Sequence, residues 1–358
     1  MIGIFFTAGH LILTVTFGFW VLGPDFFDLN IHFQSFEPMV GDDELFWLNA
    51  SYDAAYSRFN GVYLWPYLLW LWGLLGGTSF FSIAALKGLF YCLIAVYFLN
   101  QVRLILGKLE YFIVFAFLLF HPYIIFLHST LMRDDLIFSV GLVVLLWFAR
   151  YPELPSLKSI LSDRVSQIAL VSLLLLFELR PMLGYIAIFT FFILMLRSHR
   201  VLAIVPLVAC LWYVSRYLTF DFQFSIANLI FNFYKMLFSP NLISVLTGQL
   251  DVVGSGVRYI SVYASIAAGF NLCVFCAVIV CLFGNVGFVR RRLFNFSPVL
   301  LYCSLILVGL CLVKADVQGP RQALLATSGL FIFFVSEFLT VIIKSLFVSR
   351  RGSQRKVG

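Results

Sequence analysis

The sequence predicts an all-α fold, a polytopic bundle of about ten transmembrane helices. Of its 358 residues, 62% are hydrophobic and only 11% are charged, whereas a soluble domain is about half apolar and a quarter charged. The mean hydropathy over the whole chain is +1.00. Several apolar runs approach the roughly 20 residues that cross a bilayer as a helix. These three observations exclude soluble enzymes, disordered chains and disulfide scaffolds.

Apolar runs separated by polar turns define the spans in chain order. The first run lacks the basic start and the small-residue cleavage site of a signal peptide, so we expect it to remain as a span. The ten spans are residues 2–22, 80–99, 110–128, 135–149, 165–179, 182–196, 201–218, 260–283, 297–313 and 322–347.

The run 62–75 is apolar but short, rich in Trp, interrupted by Pro66 and closed by Gly76-Gly77. We expect it to be re-entrant or to lie at the outer interface, where Trp and Tyr are favoured. An eleven-span alternative with an outside N-terminus counts this run as a further span. No internal repeat or soluble domain is visible, so residues 1–358 form one integral membrane domain with two long outer loops, 23–79 and 219–259.

Lys and Arg residues predict the orientation, because cytoplasmic loops of membrane proteins carry an excess of them. If both termini are cytoplasmic and residues 62–75 do not cross, fourteen of the 24 cations fall in inside loops and eight in outside loops. Thirteen of the 17 acids then fall outside, and this enrichment predicts an outward-facing polar site. The net charge of +7 therefore records topology and does not indicate a nucleic-acid partner.

The first candidate site is the acidic run Asp42, Asp43 and Glu44, directly before the amphipathic stretch LFWLNASYDAAYSRF. These acids could simply cap a helix that lies on the membrane surface and balance its dipole. Three adjacent like charges repel, however, and a general base, with or without a divalent cation on the carboxylates, explains them better. Such a carboxylate can deprotonate an acceptor hydroxyl for attack on a sugar carbon.

The second candidate site is the short turn between two spans that contains His128, Arg133, Asp134 and Asp135. Arg133 and one Asp could pair merely so that both are tolerated at the interface. Alternatively, Arg133 presents its bidentate guanidinium to a phosphate while Asp134 or Asp135 supports catalysis or holds a metal.

Two later turns carry further charges on the same side. In residues 178–181, ELRP, Arg180 could bind phosphate or could snorkel to the interface beside Glu178. Residues 314–322, KADVQGPRQ, carry Lys314 and place Arg321 at the head of the last span. Charges in four outer turns predict one shared cavity that binds an anionic, hydroxyl-rich substrate.

Two polar groups lie inside predicted spans, His10 in the first and Lys87 in the second. A satisfied packing role, or snorkelling to the interface, is the simpler interpretation of both. The Walker, GxGxxG, HExxH and GxSxG motifs do not occur, which argues against nucleotide-driven transport and hydrolase chemistry of the soluble type.

The segments GDDELFW, YLWPYLLWLWGLLGG and HPYIIFLHSTLMRDDLIF, in this order after a first span, resemble the GT-C superfamily of membrane glycosyltransferases and the related bacterial oligosaccharide repeat-unit polymerases. By this resemblance, an acid of residues 42–44 would be the general base. Arg133 with Asp134 would match the second acidic outer-loop motif, and Arg180 and Arg321 would match basic residues near a lipid-phosphate donor.

The sequence thus predicts a glycosyltransferase of cell-surface polysaccharide synthesis that acts at the outer face of a membrane, most simply a bacterial inner membrane. Its partners would be a polyprenyl-phosphate-linked or polyprenyl-diphosphate-linked sugar donor, a glycan or lipid acceptor, and membrane lipids. The alternative is a lipid-linked glycan flippase or anion transporter, which would carry charges mid-membrane on discontinuous helices in repeated halves. A structural subunit of an envelope assembly is a third possibility, but it would not explain the acids enriched in the outer loops.

Overall fold

The computed structural model describes residues 2–31, 48–51, 64–151, 162–198, 227, 230–232, 269–280, 295–312 and 319–344. This part of the chain is helical apart from turns and short connections, in agreement with the predicted all-α class. Its helices are α1 Ile2–Leu22, α2 Asp25–Asp28, α3 Leu64–Leu74, α4 Phe80–Val102, α5 Lys108–Leu119, α6 Pro122–His128, α7 Asp134–Arg150, α8 Arg164–Leu179, α9 Pro181–Ser198, α10 Gly269–Val280, α11 Ser297–Leu312 and α12 Gly319–Leu330.

Four described segments are long and apolar enough to cross a membrane: Ile2–Leu22, Phe80–Val102, Lys108–His128 and Ala323–Lys344. The third consists of α5 and α6, and the fourth continues α12 through a π-helical turn, Phe331–Val335. Helices α7, α8, α9, α10 and α11 overlap predicted spans but are not among these four segments, so the total of ten spans stays a prediction. The predicted span 201–218 lies outside the described residues.

Helix α7 is the centre of the bundle. Every residue from Asp134 to Ala149 is buried, and the sequence places apolar side chains all around the helix. A helix that is apolar on every side is expected to be enclosed by other helices. Accordingly, α4, α6, α8, α11 and α12 all pack against α7.

Small residues allow α12 to approach α7 closely. A Cβ atom at Gly141 would lie 2.5 Å from Leu325 Cδ2, and one at Gly329 would lie 3.1 Å from Leu145 Cδ2 of α7. Membrane helices use small residues in this way to gain van der Waals contact.

Gly141→Ala is expected to lower the free energy of unfolding in detergent by about 1–3 kcal/mol relative to Gly9→Ala, because it overpacks this contact. A Cβ at Gly9 meets only Leu119 Cδ1, at 3.4 Å. Both substitutions carry the same gain in helix propensity, so their difference isolates the packing. Equal stability of the two variants would contradict the close approach of α7 and α12.

Helix α3 ends in a Schellman motif at the predicted glycine pair. Gly76 has φ +86°, its N–H donates to Gly73 O at 3.1 Å, and the Gly77 N–H donates to Trp72 O at 3.0 Å. The 11 residues of α3 extend over only about 16 Å, half the hydrocarbon thickness of a bilayer. As described, α3 is therefore too short to cross alone, and whether the run 62–75 is re-entrant or interfacial stays a prediction.

Asp163 joins the end of α7 to the start of α8. Its Oδ2 accepts from Ser166 N at 2.9 Å, which caps α8, and from Tyr151 Oη at 2.8 Å. Burial raises the pKa of this carboxyl, but the hydrogen bonds from Tyr151 and Ser166 outweigh burial and hold the pKa below its usual value.

Asp163→Ala is expected to lower the free energy of unfolding by about 1–2 kcal/mol, because the cap is lost. Since the folded-state pKa is lowered, the contribution of Asp163 is complete above the ordinary carboxyl pKa and is lost as the pH falls through the lowered value. Thermal unfolding in detergent over an acid series measures both effects. Asp163→Asn should keep most of the cap but lose this pH dependence, and an Asn variant as pH-dependent as the wild type would contradict the assignment.

Candidate functional site

Pro122 interrupts the segment Lys108–His128 and releases two backbone carbonyls from the helical pattern. Proline has no N–H to donate to Leu118 O, and the chain at His121 is extended, as is usual before proline. Both carbonyls find donors on other helices. Tyr91 Oη of α4 donates to Leu118 O at 2.7 Å, and His10 Nδ1 of α1 lies 2.9 Å from Leu119 O.

Lys87 of α4 binds carbonyls at the end of α6 and in the turn that follows it. Its Nζ donates to the main-chain oxygens of Leu127, Thr130 and Met132 at 2.6, 2.8 and 2.8 Å. The side chain is fully buried, so it does not snorkel to the interface. Lys87 is a buried residue whose polar group has partners, as predicted, and the partners are carbonyls that the ammonium group binds. Three acceptor-only oxygens use the three N–H groups of a charged lysine.

Asp135 compensates the charge of Lys87. Its Oδ2 lies 3.1 Å from Lys87 Nζ and 2.7 Å from His128 Nδ1, and all three side chains are fully buried. Asp135 is in the first turn of α7, where the helix dipole favours a negative charge.

A second histidine extends this group into α1. His128 Nε2 lies 3.2 Å from His10 Nε2, and the two rings are nearly perpendicular, with centroids 5.3 Å apart. Lys87, Asp135, His128 and His10 thus form one buried chain of polar contacts, which we call the ionic network. It ties α1, α4, α6 and α7 together.

The turn between α6 and α7 is buried, although we expected it at an exposed outer loop. Residues 129–132 are all buried, and α3 contacts this turn. Trp65 Nε1 of α3 donates to Leu131 O at 2.8 Å, and its ring lies 5.8 Å from Lys87 Nζ. Helix α3, which belongs to the predicted first outer loop, and the second charged turn are therefore in direct contact.

Asp134 and Arg180 form an ion pair on the other side of this turn. Arg180 Nη1 donates to Asp134 Oδ1 at 3.2 Å, and the two side chains are 20% and 5% exposed. The pair opens on a small pocket whose remaining walls are Ile137, Phe138, Leu183, Leu324 and Leu325. The pocket has room for about one water molecule in this state.

The pocket brings together two of the four charged turns and a helix, α12, that begins in a third. Asp134 begins α7, Arg180 lies between α8 and α9, and Leu325 belongs to α12. Arg321 is in the first turn of α12, one helical turn before Leu325. Glu178 is exposed, whereas Arg180 contacts Asp134.

The acids of the second turn take partners from other helices. Asp134 pairs with Arg180 and Asp135 with Lys87 and His128, while Arg133 occupies the N-cap position of α7. Asp42, Asp43, Glu44 and Lys314 lie outside the described residues. In the described part of the chain, no group of three or more His, Cys, Asp or Glu side chains is arranged so that it could hold a metal ion.

The sequence predicts no site role for Lys87 or His10, and it places His128 in the second candidate site without a specific role. One signal could have pointed to them, namely Pro122 inside a predicted span. A proline there releases carbonyls in an apolar environment, and nearby spans must then supply donors.

Comparison of the chain with protein-family models, with curated proteins and with solved structures gives no match. What the structure establishes is an all-helical described chain with four segments able to span a membrane and a buried ionic network beside a charged pocket.

Proposed function

We propose that the protein is a membrane glycosyltransferase that uses a polyprenyl-phosphate-linked or polyprenyl-diphosphate-linked sugar donor. The observation that carries this proposal is the Asp134–Arg180 pair at the pocket where the starts of α7 and α12 meet the α8–α9 turn. An anion site needs a cation whose partner can be exchanged, and a partly exposed Arg180 meets this requirement.

Arg180 would bind the donor phosphate in a bidentate manner and stabilise the negative charge that develops as the sugar leaves. Arg321, near the start of α12, would be a second cation for the same group. Asp134, released from Arg180 by the phosphate, would orient an acceptor hydroxyl or hold a divalent cation. Exposed apolar side chains on helices such as α1 and α8 could contact a polyprenyl tail.

The general base is proposed among Asp42, Asp43 and Glu44, which belong to the same outer loop as α3. The hydrogen bond from Trp65 Nε1 to Leu131 O supports this choice, because it brings α3, a part of the same loop, against the turn that precedes α7. One acid would remove the acceptor proton while Arg180 stabilises the leaving phosphate at the opposite side of the sugar.

The test is transfer of labelled sugar from a polyprenyl-linked donor by the purified protein in lipid vesicles. Asp42→Asn, Asp43→Asn and Glu44→Gln are compared singly with Asp25→Asn, an exposed acid of the same loop. At least one of the three is expected to reduce product formation by about 100-fold or more, because general-base catalysis contributes that much. Full activity of all three, or an equal loss in the Asp25 variant, would overturn the proposal.

The second candidate function is transport of a lipid-linked glycan or an anion, and the ionic network favours it. Buried ionisable groups beside a discontinuous span are typical of transporters. In the same vesicles, movement of the labelled lipid between leaflets without formation of a glycosidic bond would favour the transporter over the transferase.

A further inference from the structure

The hydrogen bonds of the ionic network determine how many protons its side chains must carry. Three contacts follow one another from α5 to α7: Leu119 O to His10 Nδ1, His10 Nε2 to His128 Nε2, and His128 Nδ1 to Asp135 Oδ2. They measure 2.9, 3.2 and 2.7 Å, and each needs one proton between its two heavy atoms.

The first proton is assigned without choice. Leu119 O can only accept, so His10 Nδ1 carries a proton. If His10 is neutral, its Nε2 is an acceptor, and His128 Nε2 must donate to it. A neutral His128 carries only one ring proton, which then lies on Nε2. Its Nδ1 has no proton to donate to Asp135.

Two neutral imidazoles therefore supply two protons for three contacts. The 2.7 Å separation of His128 Nδ1 and Asp135 Oδ2 requires a third, because a ring lone pair and a carboxylate repel at that distance. The third proton lies on the histidine pair or on Asp135. The first turn of α7 and the ammonium of Lys87 favour an ionised Asp135, which leaves the proton on the two rings.

Neighbouring titratable groups do not supply this proton. The three N–H groups of Lys87 are directed to three carbonyls, and the hydroxyl of Tyr91 to Leu118 O. His121 accepts from Ile124 N on Nδ1 at 3.4 Å and contacts Ser328 Oγ through Nε2 at 3.2 Å. One proton satisfies His121 as a neutral ring.

We propose that His10, His128 and Asp135 form a buried proton-binding site, which holds one proton more than two neutral imidazoles and a carboxylate carry. Its ligand is the proton, and water or a buffer base receives it on release. Release removes one of the three contacts and so loosens α1 from the start of α7. The site does not depend on glycosyl transfer and would serve a transferase or a transporter equally.

The test is the protonation of the histidine ring nitrogens, read by nitrogen-15 NMR on the full-length protein in lipid with labelled histidine. Below the midpoint of the titration, we expect three of the four ring nitrogens of His10 and His128 to be protonated, or two with a protonated Asp135 seen by infrared spectroscopy. Above the midpoint, one proton is lost, and the signals of both rings change at one shared midpoint, as for coupled groups.

Two variants complete the experiment. His10→Phe removes the ring nitrogen that accepts from His128 and should abolish the shared midpoint. His121→Asn replaces a buried histidine that is not part of the ionic network and should leave the midpoint unchanged. If the His10 variant does not fold, the wild-type titration decides alone. Independent midpoints for His10 and His128, or two neutral rings beside an ionised Asp135 between about pH 5 and pH 8, would overturn the proposal.

Discussion

Lys87→Met is expected to lower the free energy of unfolding by about 3–5 kcal/mol, the usual cost of removing one partner of a buried ion pair. Methionine fills a similar volume but donates no hydrogen bond. The carbonyls of Leu127, Thr130 and Met132 would lose the hydrogen bond from Lys87, and Asp135 would lose the ammonium group that compensates its charge. The measurement is thermal or denaturant unfolding in detergent, with tryptophan fluorescence as the signal, since Trp65 packs over Lys87.

Lys108→Met is the matched control, because Lys108 is an exposed lysine at the start of α5. Its substitution should change stability by less than about 0.5 kcal/mol. The double variant Lys87→Met with Asp135→Asn removes both charges and should recover part of the loss, since no carboxylate then remains unpaired. Equal stability of the two lysine variants would show that the ammonium group is not part of the folded core.

Arg180→Gln is expected to reduce glycosyl transfer by about 100-fold to 1,000-fold, the effect of deleting one donor that stabilises a developing oxyanion. Glutamine can still hydrogen-bond to Asp134 but brings no positive charge to the pocket. Arg180→Lys keeps the charge and loses the bidentate fork, so an intermediate rate is expected. The measurement is the initial rate of labelled sugar transfer at saturating donor.

Arg103→Gln serves as the control for this prediction, because Arg103 is an exposed cation at the end of α4. Stability measured on the same samples separates an effect on the reaction from a folding defect. An Arg180→Gln variant with the wild-type rate would remove the phosphate-binding role and, with it, the observation on which the proposed function rests.

The positions of the helices could be predicted from the sequence because apolar runs and their polar boundaries are local properties. The predicted spans 2–22 and 80–99 correspond to α1 and α4, and the expected stop at Gly76-Gly77 is a Schellman motif. The predicted single domain and the roles of residues 42–44 stay predictions.

The partners of the charged groups could not be predicted, because they depend on which helices pack together. Asp134 and Asp135 are adjacent in the chain, yet one faces Arg180 and the other Lys87 and His128. Neighbouring residues on a helix point about 100° apart, so they meet different helices. Their spacing in the sequence predicts one site for the two acids, whereas the structure divides them between a pocket and a buried network.

The pairing of Lys87 with Asp135 also bears on the biogenesis of the protein. Charged residues near the centre of a membrane helix oppose insertion by about 2.5–3.5 kcal/mol each on translocon scales. Helix α4 is synthesised before α7, so Lys87 lacks its acidic partner until residues 134–150 have emerged from the ribosome. We therefore expect α4 to be retained beside the insertion machinery until α7 arrives, and the two helices to enter the lipid as a neutralised pair.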